Sequence, residues 1–236
     1  MDNFNADVAP SPSRDLEAKV RGPYATILAD PPWQFQNRTG KVAPEHRRLL
    51  RYPTMDLKQI MELPIPKLAA AKSHLYLWVP NALLLEGLKV MEAWGFTYKT
   101  NVVWFKVRKD GGPDGRGVGF YFRNVTELVL FGVRGSMRTL QPGRRQVNTL
   151  ATRKREHSRK PDEIYDIIEA CSPGPRLELF ARFAREGWDQ WGNEDVEENL
   201  TRGVAVRNGH ADPGLRVTKS PKGYRGGHVQ LRLTGT

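Results

Sequence analysis

Residues 24–33 read YATILADPPW, an apolar run that stops at an acidic residue and two prolines. A short apolar run closed by turn residues is typical of a strand that is buried on both faces. The runs HLYLWV (74–79) and ELVLFGV (127–133) have the same character. Strands of this kind occur in parallel sheets that are covered by helices, so the three runs predict an α/β fold.

The segments around these strands predict two helices and two further strands. Asn81 is expected to cap a helix that ends at Gly95 and carries apolar residues at helical spacing, namely Leu84, Leu85, Leu88, Met91 and Trp94. Pro161 opens a second helix, which breaks at Ser172 and turns three isoleucines inward, Ile164, Ile167 and Ile168. The further strands are predicted at 97–105 and 177–180. The alternation favours a mostly parallel sheet flanked by helices.

The chain is strongly basic, with 37 Lys and Arg against 26 Asp and Glu and a net charge of +11 over 236 residues. Such a surplus predicts an anionic partner. Hydrophobic residues form 39% of the chain, too many for a disordered protein, and no apolar stretch approaches the roughly 18 residues of a membrane helix. One cysteine and five scattered histidines predict neither a disulfide nor a metal site. The polar, acidic start lacks the apolar segment of a secretory signal, so a cytoplasmic protein is expected.

Three segments hold most of the basic surplus. Residues 134–160 contain nine bases and one acid, a net charge of +8, and residues 34–51 contain five bases and one acid. The Gly-rich segment after Leu200 contains seven bases and one acid, whereas residues 186–199 hold six acids and no base. A solvated tail is the simplest interpretation of the last basic segment. Residues 134–160 are the better candidate for phosphate binding, because they lead directly into Lys160.

The sequence Asp30-Pro31-Pro32-Trp33 follows the carboxyl end of a strand, which is where open α/β sheets bind their ligands. Two prolines hold the backbone rigid and are expected to leave the Pro31 carbonyl without a regular partner. The Asp30 carboxylate and this carbonyl are two acceptors suited to the two N–H groups of an exocyclic amine. The Trp33 indole offers a stacking surface for a base. The alternative interpretation is a rigid loop with a capping Asp30 and a core Trp33.

Eight segments, in this order, resemble the MT-A70 family of S-adenosylmethionine-dependent N6-adenine methyltransferases, which act on RNA or DNA. The resemblance covers about residues 23–194, through LADPPW (28–33), YPTM (52–55), HLYLWVPN (74–81), NVVWFK (101–106), ELVLFGVRG (127–135), SRKPDEIYDIIE (158–169), RLELFAR (176–182) and GWDQWGNE (187–194). DPPW followed by KPDEIY and ELFAR is a specific combination.

The resemblance implies a Rossmann-like methyltransferase fold in permuted order, with the catalytic motif before the cofactor motif. It implies transfer of a methyl group from S-adenosylmethionine to the N6 amino group of adenine. Asp30 and the Pro31 carbonyl would accept the amine hydrogens, Pro32 would fix the loop, and Trp33 would stack on a base swung out of its strand. The transfer is then an in-line displacement without a covalent enzyme intermediate.

The resemblance also implies the cofactor-binding residues, which are Asp30, Lys160, Glu178, Arg182 and Asn193. Lys160 matches a lysine that meets the methionine carboxylate, and its alternative is a solvated side chain. Glu178 and Arg182 resemble residues that line the amino and ribose groups, and their alternative is a structural ion pair. Asn193 matches an asparagine near the ribose or adenine, or else is a turn residue. Phe-Ala-Arg at 183–185 replaces an expected His-Asn pair, which points to a bacterial or phage type.

Substrate contacts are implied at Tyr52 of YPTM, which would border the target base with Trp33. The basic loop 34–51 is expected to meet the nucleic-acid backbone. Arg144 and Arg145 are candidate phosphate contacts, and a solvated loop is their alternative. The other aromatic residues singled out, Trp78, Trp94, Trp104 and His74, are expected in the core, although Trp104 could instead wall the pocket.

These features divide the chain into a polar N-terminal tail (1–20), a catalytic domain (21–195) and a basic Gly-rich extension (196–236). The expected cofactor is S-adenosylmethionine, the expected partner is nucleic acid with DNA favoured over RNA, and neither a metal nor a membrane is expected. The alternatives are the same reaction on RNA, a catalytically silent nucleic-acid-binding partner, and an amino-methyltransferase of cytosine.

Overall fold

The computed structural model describes residues 11–34, 54–115, 121–153 and 159–192. Its helices are α1 (Pro12–Lys19), α2 (Leu57–Met61), α3 (Ile65–Leu68), α4 (Leu84–Ala93) and α5 (Glu163–Cys171), with 3-10 turns at Asn81–Leu83 and Pro142–Arg145. Its strands are β1 (Tyr24–Ala29), β2 (Ala69–Val79), β3 (Thr97–Val107), β4 (Thr126–Arg134), β5 (Thr149–Arg153), β6 (Arg176–Leu179) and β7 (Asp189–Trp191).

The seven strands form one sheet in the order β5-β3-β4-β2-β1-β6-β7. The pairs β1–β2, β1–β6, β3–β5 and β6–β7 are parallel. Strand β4 runs antiparallel to both of its neighbours, β2 and β3. The predicted α/β fold with a mostly parallel sheet is confirmed. Because β4 is reversed, its first residues lie at the edge of the sheet where the neighbouring strands end.

Both faces of the sheet are buried, as continuous apolar strands require. The consecutive residues Ile27 and Leu28 of β1 point to opposite faces and are 0% and 2% exposed. Helices α1, α2 and α4 cover one face through Leu16, Ile60, Val90 and Met91. Helix α5 covers the other face through Ile164 and Ile168. In the described ranges no helix has the length and apolar character needed to cross a membrane.

Helix α1 lies within the predicted N-terminal tail, yet it packs against the domain. Its Leu16 is fully buried, and Asp15 accepts a hydrogen bond of 2.8 Å from the Trp191 indole nitrogen. Residues 12–19 therefore belong to the packed part of the chain.

The helix predicted from Asn81 begins later, and its predicted apolar face is buried at Met91 and Trp94 but not at its first two leucines. Asn81 opens a 3-10 turn, and its side-chain nitrogen donates to the Thr126 carbonyl at 3.1 Å instead of capping the helix. Leu84 and Leu85 are 38% and 69% exposed. Both leucines lie in the first turn of α4, at the end of the helix. The buried face also contains Gly87, where a Cβ atom would lie 2.6 Å from a Val79 methyl carbon.

The second predicted helix and the predicted core residues are confirmed. The three isoleucines of α5 are buried, and so are Trp78, Trp94 and Trp104. His74 is fully buried, and its Nδ1 atom lies 2.7 Å from the Ser172 hydroxyl. Burial lowers the pKa of His74, which fits a neutral core residue.

Candidate active site

Charged side chains from four elements meet at the carboxyl edge of the sheet. Asp30 follows β1, Lys160 precedes α5, and Lys106 is the last residue but one of β3. Glu127, the second residue of β4, reaches the same edge because β4 is reversed. This is the edge at which open α/β sheets bind their ligands.

The four side chains form a chain of alternating charges, here called the four-charge cluster. The Lys160 ammonium lies 3.0 Å from an Asp30 carboxylate oxygen and 3.3 Å from Glu127 Oε2. The other Glu127 oxygen, Oε1, pairs with the Lys106 ammonium. Exposed fractions of 24% for Lys160, 26% for Asp30 and 29% for Glu127 show that the cluster is partly shielded from water. The structure thus brings the predicted residues Asp30 and Lys160 into direct contact.

Indole rings flank the two lysines of the cluster. The Lys160 ammonium lies 5.2 Å from the centroid of Trp78, and the Lys106 ammonium lies 4.7 Å from that of Trp104. Both distances are within the range of a cation–π interaction. Trp104 is itself 3% exposed and donates to the Thr152 hydroxyl at 2.8 Å, so it lies in the core behind Lys106.

Opposite charges nearby keep Lys160 and Glu127 in the charged state. Burial lowers the pKa of Lys160, but the charges of Asp30 and Glu127 outweigh burial and raise it overall. Burial raises the pKa of Glu127, but Lys160 and Lys106 outweigh burial and lower it overall. Glu127 and Lys160 are therefore both ionised at neutral pH.

The prolines of the Asp30–Trp33 loop are held by backbone hydrogen bonds. The Pro31 carbonyl accepts a bond of 2.8 Å from the Trp33 backbone N–H, so the prediction that it lacks a partner is wrong. The reason is a tight three-residue turn, which the two prolines permit. A carbonyl oxygen has a second lone pair, so Pro31 can still accept another donor. The Pro32 carbonyl accepts from the Met55 N–H at 3.0 Å.

Trp33 is a core residue in this structure. It is 7% exposed, and its indole nitrogen donates to the Trp78 carbonyl at 2.9 Å. This contact ties the loop to the end of β2 and agrees with the structural alternative for Trp33. Stacking on a base would require a different exposure of the ring, and stays a prediction.

Glu178 of β6 is a half-buried carboxylate whose charge interacts with that of Asp30. Its Oε1 atom accepts a hydrogen bond of 2.8 Å from the Tyr165 hydroxyl, and its buried Oε2 atom has no hydrogen-bond partner among the described residues. Burial raises the pKa of Glu178 to about 7, and the negative charge of Asp30 adds to this shift. Tyr165 is thus an observed hydrogen-bond partner of Glu178.

The segment after β6 has an unusual backbone. Phe180 has a φ of 64°, which is rare for a residue with a side chain. The preceding Leu179 carbonyl lies 3.5 Å from the Asp30 backbone nitrogen, so this strained residue adjoins the site. Arg182 follows two residues later and is half-buried. Tyr52, Asn193 and most of the basic loop 34–51 lie outside the described residues.

Arg144 and Arg145 are not brought to the site. Their 3-10 turn packs on the far end of α5, where the Leu140 N–H donates to the Cys171 carbonyl at 2.8 Å. Helix α5 begins beside Lys160 and ends at Cys171, so the two arginines lie toward the opposite edge of the sheet. The physical reason is that β4 carries the chain to that edge before residues 135–148, and β5 then returns it toward Lys160.

Sequence reasoning missed Lys106, Glu127 and Tyr165 as site residues. Glu127 opens a run interpreted as a strand and Lys106 follows the strand predicted at 97–105, and the family resemblance gave neither residue a role. The available signal was a charged side chain at the end of an otherwise apolar strand, at the edge where Asp30 lies. Among the described residues there is no group of three His, Cys, Asp or Glu side chains that could hold a metal ion.

The raised pKa of Glu178 predicts a pH dependence of stability. In the folded protein the carboxyl stays protonated up to about pH 7, whereas its ordinary pKa is 4.5. Between these pH values the folded state binds more protons than the unfolded state. The contribution of Glu178 to the free energy of unfolding is therefore complete below pH 4.5 and is lost as the pH rises through 7. Glu178→Gln is expected to remove this loss, on the order of 1–3 kcal/mol between pH 5 and pH 8.

Urea denaturation of the wild type and Glu178→Gln at both pH values measures the difference in the free energy of unfolding. Glu92→Gln, an exposed change on α4, is the matched control and should follow the wild type. Parallel pH dependence of Glu178→Gln and the wild type would contradict the prediction.

The fold and the site together define the class of protein. A mostly parallel seven-stranded sheet with one reversed strand, and an Asp-Pro-Pro-Trp loop at its carboxyl edge, describe a Rossmann-like methyltransferase domain. The model of the MT-A70 family matches residues 24–194. The chain therefore belongs to the MT-A70 family of methyltransferases.

Individual relatives agree with this assignment. The chain is 31% identical to the Type II methyltransferase M.MunI of a Mycoplasma species over 196 residues, which cover 76% of the chain and 81% of the relative. It is 29% identical to the human N(6)-adenosine-methyltransferase catalytic subunit METTL3 over 185 residues, which cover 77% of the chain and 30% of the relative. An Arabidopsis thaliana N(6)-adenosine-methyltransferase MT-A70-like protein is also 29% identical, over 77% of the chain and 25% of the relative. The chain thus spans most of the Mycoplasma protein but less than a third of the two eukaryotic ones.

Proposed function

We propose that this protein transfers a methyl group from S-adenosylmethionine to the N6 amino group of adenine in DNA. The observation that carries the proposal is the Asp30–Lys160 pair at the carboxyl edge of the sheet, in a chain of the MT-A70 family. The carboxylate suits a neutral amine, which needs a hydrogen-bond acceptor, and the cation beside it suits a cofactor that ends in a carboxylate. Relatives named N(6)-adenosine-methyltransferases support N6 as the accepting atom.

In this proposal Asp30 and the Pro31 carbonyl hold the amine. Each accepts one N–H bond, Pro31 through its second lone pair, and the nitrogen lone pair is thereby directed away from both acceptors. Acceptance of these bonds makes the conjugated amine a better nucleophile, and the methylated nitrogen can release its proton to Asp30 or to water. Trp33 fixes the loop through its bond to the Trp78 carbonyl.

The described residues fit S-adenosylmethionine in two respects. The Lys160 ammonium is a half-buried cation suited to the methionine carboxylate, and the unpartnered Glu178 Oε2 is a buried acceptor suited to an amino or hydroxyl hydrogen. Arg182 and Asn193 are proposed to line the rest of the same site. When bound, the cofactor supplies an electrophilic methyl group.

DNA is proposed as the polymer because the match to the Type II methyltransferase extends over 81% of that protein, so the two chains are similarly organised. RNA is the second candidate, since relatives at 29% identity are named N(6)-adenosine-methyltransferases. A catalytically silent binding partner would have no need of Asp30 and Lys160 in contact, which makes that role the weaker alternative.

A single assay separates these candidates. Radiolabelled S-adenosylmethionine is offered with single- and double-stranded oligonucleotides of DNA and of RNA in parallel, and the modified base is identified after digestion. We expect N6-methyladenine in DNA. Label found only in RNA would mean that the substrate is RNA and not DNA, and label on cytosine would mean that cytosine is the methylated base. If calorimetry detects no cofactor binding at millimolar concentration, the protein is not the proposed enzyme.

The position of Arg144 and Arg145 leads to a prediction about nucleic-acid binding. Because both lie away from the four-charge cluster, replacing both by glutamine should leave the salt dependence of DNA affinity unchanged. A phosphate contact would instead reduce the slope of log affinity against log salt by about one unit per arginine. The measurement is a fluorescence anisotropy titration of labelled DNA at four salt concentrations. A flatter slope would mean that Arg144 and Arg145 do contact phosphates, as the sequence suggested.

A further inference from the structure

We propose that Glu127, anchored by Lys106, is a positioning residue that shares the Lys160 ammonium with Asp30 and thereby lets the Asp30 carboxylate be released to the substrate. The inference rests on the proposed function, because it concerns how the two groups needed for that reaction become available. It assigns a task to two residues of the family-like segments to which neither the resemblance nor the proposed chemistry gives a role.

The geometry places two carboxylates in competition for one ammonium. The distances from Lys160 Nζ to Asp30 and to Glu127 are 3.0 Å and 3.3 Å, so neither partner excludes the other. Glu127 is fixed from its other side, since its second oxygen pairs with Lys106. The exposed fraction of Lys106 is only 12%, so this anchor is itself well packed.

The Asp30–Lys160 pair occupies both groups that the reaction requires. Asp30 must be free to accept from the amine, and Lys160 must be free to meet a carboxylate. With Asp30 as its one partner, the half-buried ammonium would lose its counter-charge on release, which is costly away from water. Glu127 remains beside Lys160 and supplies that counter-charge, so the release of Asp30 costs less.

Replacing Glu127 by glutamine keeps the size of the side chain and removes its charge. Lys160 then has Asp30 as its remaining partner in the cluster, and the two bind more tightly. We expect kcat for methyl transfer to fall about tenfold. The affinity for S-adenosylhomocysteine should stay equal or rise up to about tenfold, since fewer anions compete with its carboxylate.

Replacing Lys106 by glutamine has the opposite effect on the cofactor site. Glu127 loses its anchor and becomes a stronger partner of Lys160, so two carboxylates oppose the incoming one. We expect the affinity for S-adenosylhomocysteine to fall about three- to tenfold. A merely structural role would weaken ligand binding in both variants, so the opposite signs identify the positioning role.

The test measures kcat on the polynucleotide identified above and the dissociation constant of S-adenosylhomocysteine by calorimetry, for the wild type, Glu127→Gln and Lys106→Gln. Glu92→Gln is the matched control and should equal the wild type in both values. An equal or higher affinity in Glu127→Gln together with a lower affinity in Lys106→Gln, and a loss of kcat in Glu127→Gln, support the proposal. A lower affinity in Glu127→Gln, an affinity that does not fall in Lys106→Gln, or a kcat of Glu127→Gln within twofold of the wild type overturns it.

The test also covers a Glu127→Gln variant that does not fold and a wild type that does not bind the ligand. If Glu127→Gln does not fold, unchanged or improved ligand affinity in Lys106→Gln overturns the proposal, and weakened affinity with intact folding supports it. If the wild type binds no S-adenosylhomocysteine, the proposed function itself fails. Failure of the Glu127 inference alone leaves a wild type that binds and methylates normally.

Discussion

Replacing Asp30 by asparagine is expected to lower kcat for methyl transfer about 100-fold or more, with cofactor affinity changed by no more than a few-fold. Asparagine has the size of aspartate, but it lacks the negative charge that the amine hydrogens would meet. It also presents an amide NH2 group, which cannot accept from the amine. The loss therefore falls on the step in which charge develops on the nitrogen.

The fold of Asp30→Asn should be intact. Asp30 is 26% exposed, and Lys160 keeps Glu127 as a partner, so the free energy of unfolding should change by about 1 kcal/mol or less. Single-turnover assays and urea denaturation measure the two quantities. The matched control is Asp189→Asn at the opposite edge of the sheet, where an amide oxygen can still accept the 2.6 Å bond from Tyr24. Near wild-type turnover by Asp30→Asn would contradict the assigned role.

Replacing Lys160 by methionine is expected to weaken S-adenosylhomocysteine binding about 10- to 100-fold. Methionine keeps an unbranched chain over Trp78 but has no charge for the ligand carboxylate. Lys160→Arg restores the cation and should recover part of the affinity. Calorimetry with the folded variants gives the dissociation constants.

The ligand itself provides the control for Lys160. Methylthioadenosine shares the nucleoside and the thioether with S-adenosylhomocysteine but has no amino-acid carboxylate. Its affinity should be nearly equal in the wild type and Lys160→Met. An equal loss for both ligands would mean that the substitution disturbs the whole site, and that Lys160 does not act through the carboxylate.

The sequence predicted the interior strands well because their apolar runs are continuous and their ends are marked by prolines or charges. Residues 24–29 coincide with β1, and helix α5 buries the three isoleucines that its spacing indicated. Strands β5 and β7 were missed because they are short and edge-like, with the mixed sequences TLATR and DQW. Their pairing depends on neighbouring strands that local pattern does not reveal.

Site residues that belong to a recognisable motif could be predicted from the sequence. Residues that reach the site only through the order and direction of the strands could not. Asp30 and Lys160 were singled out from motifs 130 residues apart and are found in contact. Glu127 was overlooked because its place depends on the direction of β4, which an apolar run cannot indicate. Arg144 was placed near Lys160 from closeness in sequence, but a complete strand separates the two positions.

The reversed direction of β4 places the ends of the β3–β4 connection beside the four-charge cluster. Trp104 pairs with Glu127 and Phe105 with Thr126, so the two strands are joined by registered backbone bonds up to the residues that carry the four-charge cluster. Whatever length or composition lies between Val107 and Thr126, Lys106 and Glu127 stay two residues apart in register on these paired strands, where their side chains form an ion pair. A segment grafted between these two strands is therefore expected to leave the geometry of the four-charge cluster unchanged.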